Sequence, residues 1–67
     1  MIVMSIAGVD PSAGAGVYAD LKTFQAIGVY GTGIVTALTA QDPYKFFSTL
    51  PVSPDFIESQ IDSVMDS

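Results

Sequence analysis

The pattern of apolar and polar residues changes its period along the chain. Residues 2–7 form a short apolar run without alternation, which is typical of a strand buried on both faces of a sheet. From about Gly14 the apolar positions instead recur three or four residues apart, which predicts a helix with one apolar face. That face consists of Val17, Leu21, Phe24 and Ile27. The chain therefore begins with a buried strand followed by an amphipathic helix.

Capping and turn signals mark the ends of this helix. Residues 9–13 have the composition of a turn, and Pro11 keeps Asp10 out of the helical region. Ser12 is predicted to be the N-cap of the helix. Gly28 stands where a glycine in the left-handed conformation ends a helix.

Two further strands are predicted downstream. Residues 32–40 are rich in β-branched and small residues, as in a second buried strand. Two buried strands joined by one helix predict a right-handed β-α-β unit with parallel strands. Residues 44–50 are predicted to form a third strand at a sheet edge, because Pro43 and Pro51 bracket them.

A second helix has a well-defined start. Ser53 is its predicted N-cap, Pro54 its first residue, and Asp55 an acid near the positive end of the helix dipole. Val52 and Ile57 form a hydrophobic staple across this start. The buried stripe of the helix consists of Ile57, Ile61 and Val64. No glycine or basic residue marks an end, and we interpret the helix as truncated.

Composition limits the size and chemistry of the protein. A chain of 67 residues is one domain at most, and at this length about 60% of the unfolded surface is buried. There is no Cys and no His, which excludes disulfides and the usual soft metal ligands. Yet 49% of the residues are hydrophobic and only 13% are charged. This composition favours part of a larger buried sheet over a free-standing small domain.

Charge and hydropathy exclude two classes of partner. The net charge of −5 disfavours nucleic acid, because binding a phosphate backbone requires many cations. No apolar run approaches the roughly 20 residues that span a bilayer, and the amino terminus has no basic region typical of a signal peptide. We therefore expect neither nucleic acid nor a membrane as a partner.

The glycine-rich loop carries an ambiguous motif. Gly14, Gly16 and Ala19 match G-x-G-x-x-A, the pattern of dinucleotide-binding loops. That pattern requires its first glycine at the end of the strand, whereas the predicted strand ends near Gly8. No Gly-Lys-Ser/Thr occurs, which excludes a Walker loop. A bare turn and a ligand-binding loop both remain open for these glycines.

Two polar side chains accompany the loop. Asp20 is assigned to the first helix, off its apolar stripe, where a solvated surface position is the alternative to a ligand contact. Gln41 follows the second strand at its carboxyl end, and its amide offers one donor beside one acceptor. That pair is complementary to the edge of an aminopyrimidine. Hydrogen bonding to a neighbouring loop is the alternative role for this amide.

Four segments in order resemble one family, namely "AGVDPSAGAG", "ADLKTF", "GVYGTGIVTALTAQ" and the helix "FIESQIDSV". They are similar to the N-terminal part of the hydroxymethylpyrimidine and hydroxymethylpyrimidine phosphate kinases of thiamine biosynthesis. The resemblance implies an α/β fold, the β-α-β-(β)-α start of a ribokinase-like three-layer sandwich with parallel central strands. Residues 1–67 would be the truncated N-terminal part of a single kinase domain.

The same resemblance implies the roles of three residues. Gly8 would offer backbone groups to the substrate, Asp20 would face its hydroxymethyl side, and Gln41 would bind the pyrimidine amino edge. The implied cofactors are ATP and Mg²⁺, with sites mostly outside these residues, and neither a catalytic residue nor a metal ligand is expected here. The resemblance also implies a homodimer for the full-length protein, and the absence of Cys fits a cytoplasmic location. We expect the isolated 67 residues to be inactive.

The chain departs from the family pattern at the glycine loop. Val9 replaces a small hydroxylated residue, and Ala13 stands where glycine is common. Two other classes of function are kept as hypotheses: a dinucleotide-binding module of an oxidoreductase, and a non-catalytic interaction segment.

Overall fold

The computed structural model describes residues 1–66, which form three strands and two helices in the order β-α-β-β-α. The elements are β1 (Ile2–Val9), α1 (Gly16–Ile27), β2 (Tyr30–Gln41), β3 (Phe46–Pro51) and α2 (Pro54–Met65). Every predicted helix and strand is confirmed, with bounds close to the predicted ones. The prediction that the first strand is buried on both faces is wrong for the described residues, because Ile2 is 73% exposed and Ile6 56%.

The three strands form one sheet in the order β1-β2-β3. β1 and β2 run parallel, as predicted, because α1 carries the chain back to the start of the sheet. β3 is antiparallel to β2 and lies at the edge. A short connection such as residues 42–45 can join only antiparallel neighbours.

The register of the parallel pair shifts near its carboxyl end. Ala7 pairs with Val35, whereas Val9 pairs with Leu38. Two steps along β1 therefore match three steps along β2, so β2 has an extra residue opposite Gly8. Such a bulge bends the strand and changes the direction of the side chains that follow. The bulge therefore changes the direction of the side chains in the last residues of β2.

Two glycines allow α1 to lie close to β2. A Cβ added to Gly31 would come within 2.7 Å of the Phe24 side chain, and one added to Gly33 within 2.6 Å of Val17. Val17 is 3% exposed, which confirms the start of the predicted apolar stripe. The stripe does not extend to Ile27, which is 69% exposed at the end of α1.

The second helix packs on β2 and begins as predicted. The Phe56 amide donates to Ser53 Oγ at 3.2 Å, so Ser53 is the N-cap and Pro54 the first residue. The predicted stripe is confirmed as half-buried at Ile57, Ile61 and Val64. Ile34 follows Gly33 and therefore points away from α1. It is completely buried, so the second face of β2 is covered as well.

Gln60 of α2 closes an open part of the β2 edge. Its Oε1 accepts from the Val35 amide at 2.9 Å, and its Nε2 donates to the Val35 carbonyl at 2.8 Å. β3 pairs with β2 only from Ala37 onward. The Gln60 amide thus replaces a neighbouring strand for Val35, whose backbone groups would otherwise lack partners at this edge.

The predicted N-cap of α1 is wrong. Ala15 occupies the N-cap position, with extended backbone and no side-chain hydrogen bond. The Ser12 hydroxyl donates instead to the Asp10 carboxylate at 2.7 Å. Ser12 precedes the observed N-cap by three residues, and a capping side chain accepts from amides only two or three positions further along, so Ser12 cannot reach the first turn of α1 as a cap.

Little apolar surface is buried within the described residues. Among residues 1–66, the buried hydrophobic side chains are Val17, at 3% exposed, and Ile34, at 0%. The accessible surface of 4653 Å² exceeds the roughly 4,000 Å² typical of a monomer of this mass. Neither helix of the described part has the length and hydropathy required to cross a bilayer.

Replacing Gln60 tests whether its side-chain amide stabilises the fold by pairing with the Val35 backbone. In the full-length protein we expect Gln60→Met to lower the free energy of unfolding by about 1–3 kcal/mol, because both Val35 backbone groups lose their partner. Urea unfolding measures the change. Gln25→Met on the exposed face of α1 is the matched control, and equal effects of the two substitutions would contradict the proposed closure.

Candidate functional site

The carboxyl ends of β1 and β2 lie at the same edge of the sheet because these strands are parallel. Residues 10–15 leave β1 at this edge and lead into α1. Ligands of open α/β sheets bind outside the carboxyl ends of the strands. The site is therefore built from the strand tips and this glycine-rich loop.

The start of α1 is held against the end of β1. Gly16 forms an antiparallel bridge with Val9 and has φ of +68°. A Cβ at Gly16 would overlap the carbonyl oxygen of Gly8. Only glycine therefore satisfies both the close contact and the left-handed backbone at this position. The second glycine of the G-A-G segment is thus explained by the fold alone.

Asp10 organises the loop from within. Its side chain is 5% exposed, and its Oδ1 accepts from the Ser12 hydroxyl at 2.7 Å and the Ser12 amide at 2.9 Å. The Ser12 hydroxyl lowers the pKa of Asp10, and the amides of Ser12, Gly14 and Ala15 lower it further, against the opposing effect of burial. Hydrogen bonds from its own loop thus keep the carboxylate ionised.

Ala13 has an unusual backbone conformation. Its amide donates to the Asp10 carbonyl at 2.9 Å, closing a tight turn, and its φ is +61°. The left-handed region costs a residue with a Cβ about 1 kcal/mol. This geometry explains in physical terms why glycine suits position 13.

Gln41 is the last residue of β2 and belongs to a hydrogen-bond chain. Its Nε2 donates to Thr39 Oγ1 at 2.8 Å, and Thr39 Oγ1 donates to the Val9 carbonyl at 2.6 Å. The chain joins the tips of both parallel strands. Thr39 was not singled out from the sequence, because a threonine within a run of β-branched residues has the composition of any buried strand.

Two of the three predicted site residues lie at one edge of the sheet, but β2 runs three residues past Leu38, the partner of Val9, before it ends at Gln41. Gly8 and Gln41 lie at the same edge of the sheet, on neighbouring strands. Asp20 lies deeper, since its Oδ2 accepts from the Ser5 hydroxyl at 2.6 Å. Ser5 precedes Gly8 by three residues, or about 10 Å along β1. A role for these three residues in substrate binding stays a prediction.

The prediction that Asp20 lies off the apolar stripe of α1 is wrong, and so is the alternative of a solvated surface position. The residue is half-buried and faces β1. It follows Val17 by three residues and precedes Phe24 by four, which places all three on one face of α1. The helical spacing already contained this signal.

The described residues offer no evident site for a nucleotide or a metal. No three acidic side chains among residues 1–66 come together in a group that could hold a metal ion. Gly14 follows the last residue of β1 by five positions, so the dinucleotide pattern lacks its strand-end setting. We therefore assign no chemical step to ATP or Mg²⁺ at these residues.

Comparison with known proteins gives the family. The family model of phosphomethylpyrimidine kinase matches residues 10–67. Since this range covers most of the chain, the chain belongs to the phosphomethylpyrimidine kinase family. The ribokinase-like fold expected from the sequence is confirmed by the solved structures that it resembles.

Individual relatives share this assignment. The chain is 52% identical over 61 residues to a hydroxymethylpyrimidine/phosphomethylpyrimidine kinase of Salmonella typhimurium, covering 91% of the chain and 23% of that protein. Against the Aquifex aeolicus enzyme of the same name, identity is 39% over 66 residues, covering 98% of the chain and 26% of that protein. The chain thus spans about a quarter of the length of the curated relatives it matches.

Solved structures match the fold closely. A phosphomethylpyrimidine kinase of Clostridium difficile has a TM-score of 0.94 at 43% identity, with 100% of the chain and 29% of that structure covered. The Staphylococcus aureus pyridoxal kinase in complex with AMP-PCP has a TM-score of 0.84 at 39% identity, covering 97% of the chain and 24% of that structure.

Substitutions at Gly28 and Gly16 separate the cost of a left-handed backbone from the cost of a steric overlap with Gly8. Gly28 also has positive φ, but a Cβ added there would meet only open space, so Gly28→Ala is expected to cost only about 1–2 kcal/mol of strain. Gly16→Ala adds the overlap with Gly8, and we expect a further loss of about 1–3 kcal/mol. Urea unfolding of the full-length variants measures both losses. Equal losses would show that the Gly16 contact is unimportant.

Asp10 is expected to make stability depend on acid pH. Its folded-state pKa lies below the ordinary value of 3.8. The ionised carboxylate therefore stabilises the fold above pH 3.8, and this contribution is lost as pH falls through the lower folded-state value. The stability difference between wild type and Asp10→Asn should be constant above about pH 5 and shrink in more acid solution.

Urea unfolding of the full-length protein at a series of pH values measures this difference. Asp62→Asn, which removes an exposed carboxylate of α2, is the control and is expected to follow wild type. A difference for Asp10→Asn that does not shrink in acid would contradict the role assigned to the ionised carboxylate.

Proposed function

We propose that the full-length protein carrying these residues is a kinase that phosphorylates 4-amino-5-hydroxymethyl-2-methylpyrimidine and its phosphate in thiamine biosynthesis. In this proposal the 67 residues form the pyrimidine-binding side of the active site. The observation that carries it is the Gln41 amide at the tip of β2, joined through the Thr39 hydroxyl to the Val9 carbonyl at the tip of the neighbouring parallel strand. An amide presents the donor and acceptor that an aminopyrimidine edge requires.

The reaction proposed is a phosphoryl transfer. The substrate oxygen forms a bond to the γ-phosphorus of ATP as the bond to the β–γ bridging oxygen breaks, and ADP leaves. For the hydroxymethyl substrate, the hydroxyl proton passes to a base that we place outside these residues. Holding the pyrimidine in one position contributes to the rate because such catalysis is largely positioning and charge neutralisation.

The remaining features are inferred from the family. ATP and Mg²⁺ are bound mostly by residues beyond position 67, residues 1–67 are the N-terminal part of one kinase domain, and the protein is a cytoplasmic homodimer. The large exposed apolar surface supports a domain completed by further chain. Asp20 is proposed to act on the hydroxymethyl side of the substrate, from its position in α1 beside Ser5.

An assay of the full-length protein tests the function. With ATP and the aminopyrimidine, ADP formation is expected, and Gln41→Ala should raise the KM for the pyrimidine about 10- to 100-fold through the loss of two hydrogen bonds. The effect on kcat should be smaller, because the amide binds ground state and transition state alike.

Gln25→Ala removes an exposed glutamine of α1 and is the matched control. Absence of pyrimidine-dependent turnover in wild type would contradict the proposal. Binding of NAD by the full-length protein would favour the dinucleotide-binding hypothesis, and binding of neither ligand would favour an interaction segment.

A further inference from the structure

The hydrogen-bond chain at the end of β2 determines which way the Gln41 amide faces. The hydroxyl of Thr39 carries one hydrogen, which is donated to the Val9 carbonyl at 2.6 Å. Toward Gln41, Thr39 Oγ1 therefore offers only lone pairs. An amide oxygen also has only lone pairs, so it would repel Oγ1 at the observed separation of 2.8 Å. The amide nitrogen must face Thr39.

This orientation leaves a defined pattern for a ligand. Thr39 takes one hydrogen of Gln41 Nε2, which leaves the other hydrogen and Oε1 for a ligand. Within residues 1–66 the side chain makes no second hydrogen bond. The amide therefore presents a donor and an acceptor in a fixed order.

The fixed order distinguishes two closely related rings. A 4-aminopyrimidine has a ring nitrogen acceptor next to an amino donor, which matches the amide at both atoms. The corresponding pyrimidin-4-one has a ring N–H donor next to a carbonyl acceptor. In the same pose it would oppose donor to donor and acceptor to acceptor, and mismatched buried polar groups are strongly disfavoured.

We propose that Thr39 is a positioning residue that fixes the polarity of the Gln41 amide and thereby selects 4-aminopyrimidines over pyrimidin-4-ones. The inference rests on the proposed function, in which Gln41 binds the pyrimidine edge. Without the Thr39 hydroxyl, the amide can rotate by half a turn and match the pyrimidinone. Thr39 thus acts on specificity through Gln41 and through the Val9 carbonyl of the neighbouring strand.

The test compares binding of two ligands to the full-length protein by calorimetry. The ligands are 4-amino-5-hydroxymethyl-2-methylpyrimidine and the analogue in which a 4-oxo group replaces the amino group. We expect wild type to prefer the amino compound, and Thr39→Val to reduce that preference about tenfold or more. A merely structural role would weaken both ligands equally and leave the ratio unchanged.

Three further variants make the test specific. Thr39→Ser retains the hydroxyl and should retain the preference for the amino compound. Thr39→Ala removes the hydroxyl, and it is the variant to use if Thr39→Val does not fold. Thr32→Val is the matched control, because the Thr32 hydroxyl of β2 also donates to a backbone carbonyl of β1, that of Val3, at 3.1 Å. It should leave the preference as in wild type.

The outcomes separate this inference from the proposed function. If Gln41→Ala weakens binding of the amino compound about 10- to 100-fold while Thr39→Val and Thr39→Ala keep the wild-type preference, the role of Thr39 is wrong and the proposed function stands. If wild type binds neither pyrimidine, both fail. A reduced preference in the hydroxyl-free variants with rescue by Thr39→Ser supports both.

Discussion

The parallel pairing of β1 with β2 is the interaction on which the rest of the structure depends. It brings the carboxyl ends of both strands to one edge, where the loop of residues 10–15 and the start of α1 also lie. The bulge opposite Gly8 then turns the end of β2, and the hydrogen bond from Thr39 to Val9 ties the two tips together. A pair of antiparallel strands would place these groups at opposite ends of the sheet.

Close packing beneath the site supports this arrangement. Gly31 and Gly33 let α1 approach β2, and Gly16 lets the first turn of α1 approach the end of β1. The loop of residues 10–15, which joins β1 to α1, is held by the ionised carboxylate of Asp10, which accepts hydrogen bonds from Ser12 of the same loop. Rigid support of this kind limits the movement of the groups that meet a ligand, which lowers the entropy lost on binding.

The sequence predicted the elements because burial follows their periods, and it predicted the Gly28 and Ser53 helix boundaries because local chemistry determines them. It did not predict what depends on partners distant in the chain. The Ser12 cap fails because α1 begins only at Gly16, whose bridge to Val9 depends on how the loop returns to β1. The bulge depends on cross-strand register, and Thr39 has a special role only because Val9 and Gln41 lie beside it.

The central claim is that one small ring binds between the tips of β1 and β2, and a crystal structure of the full-length protein with 4-amino-5-hydroxymethyl-2-methylpyrimidine tests it most directly. We expect the amino group and the adjacent ring nitrogen each to lie about 3 Å from the Gln41 amide, with Nε2 still bonded to Thr39. A pyrimidine bound away from Gln41, or an amide whose oxygen faces Thr39, would contradict the account.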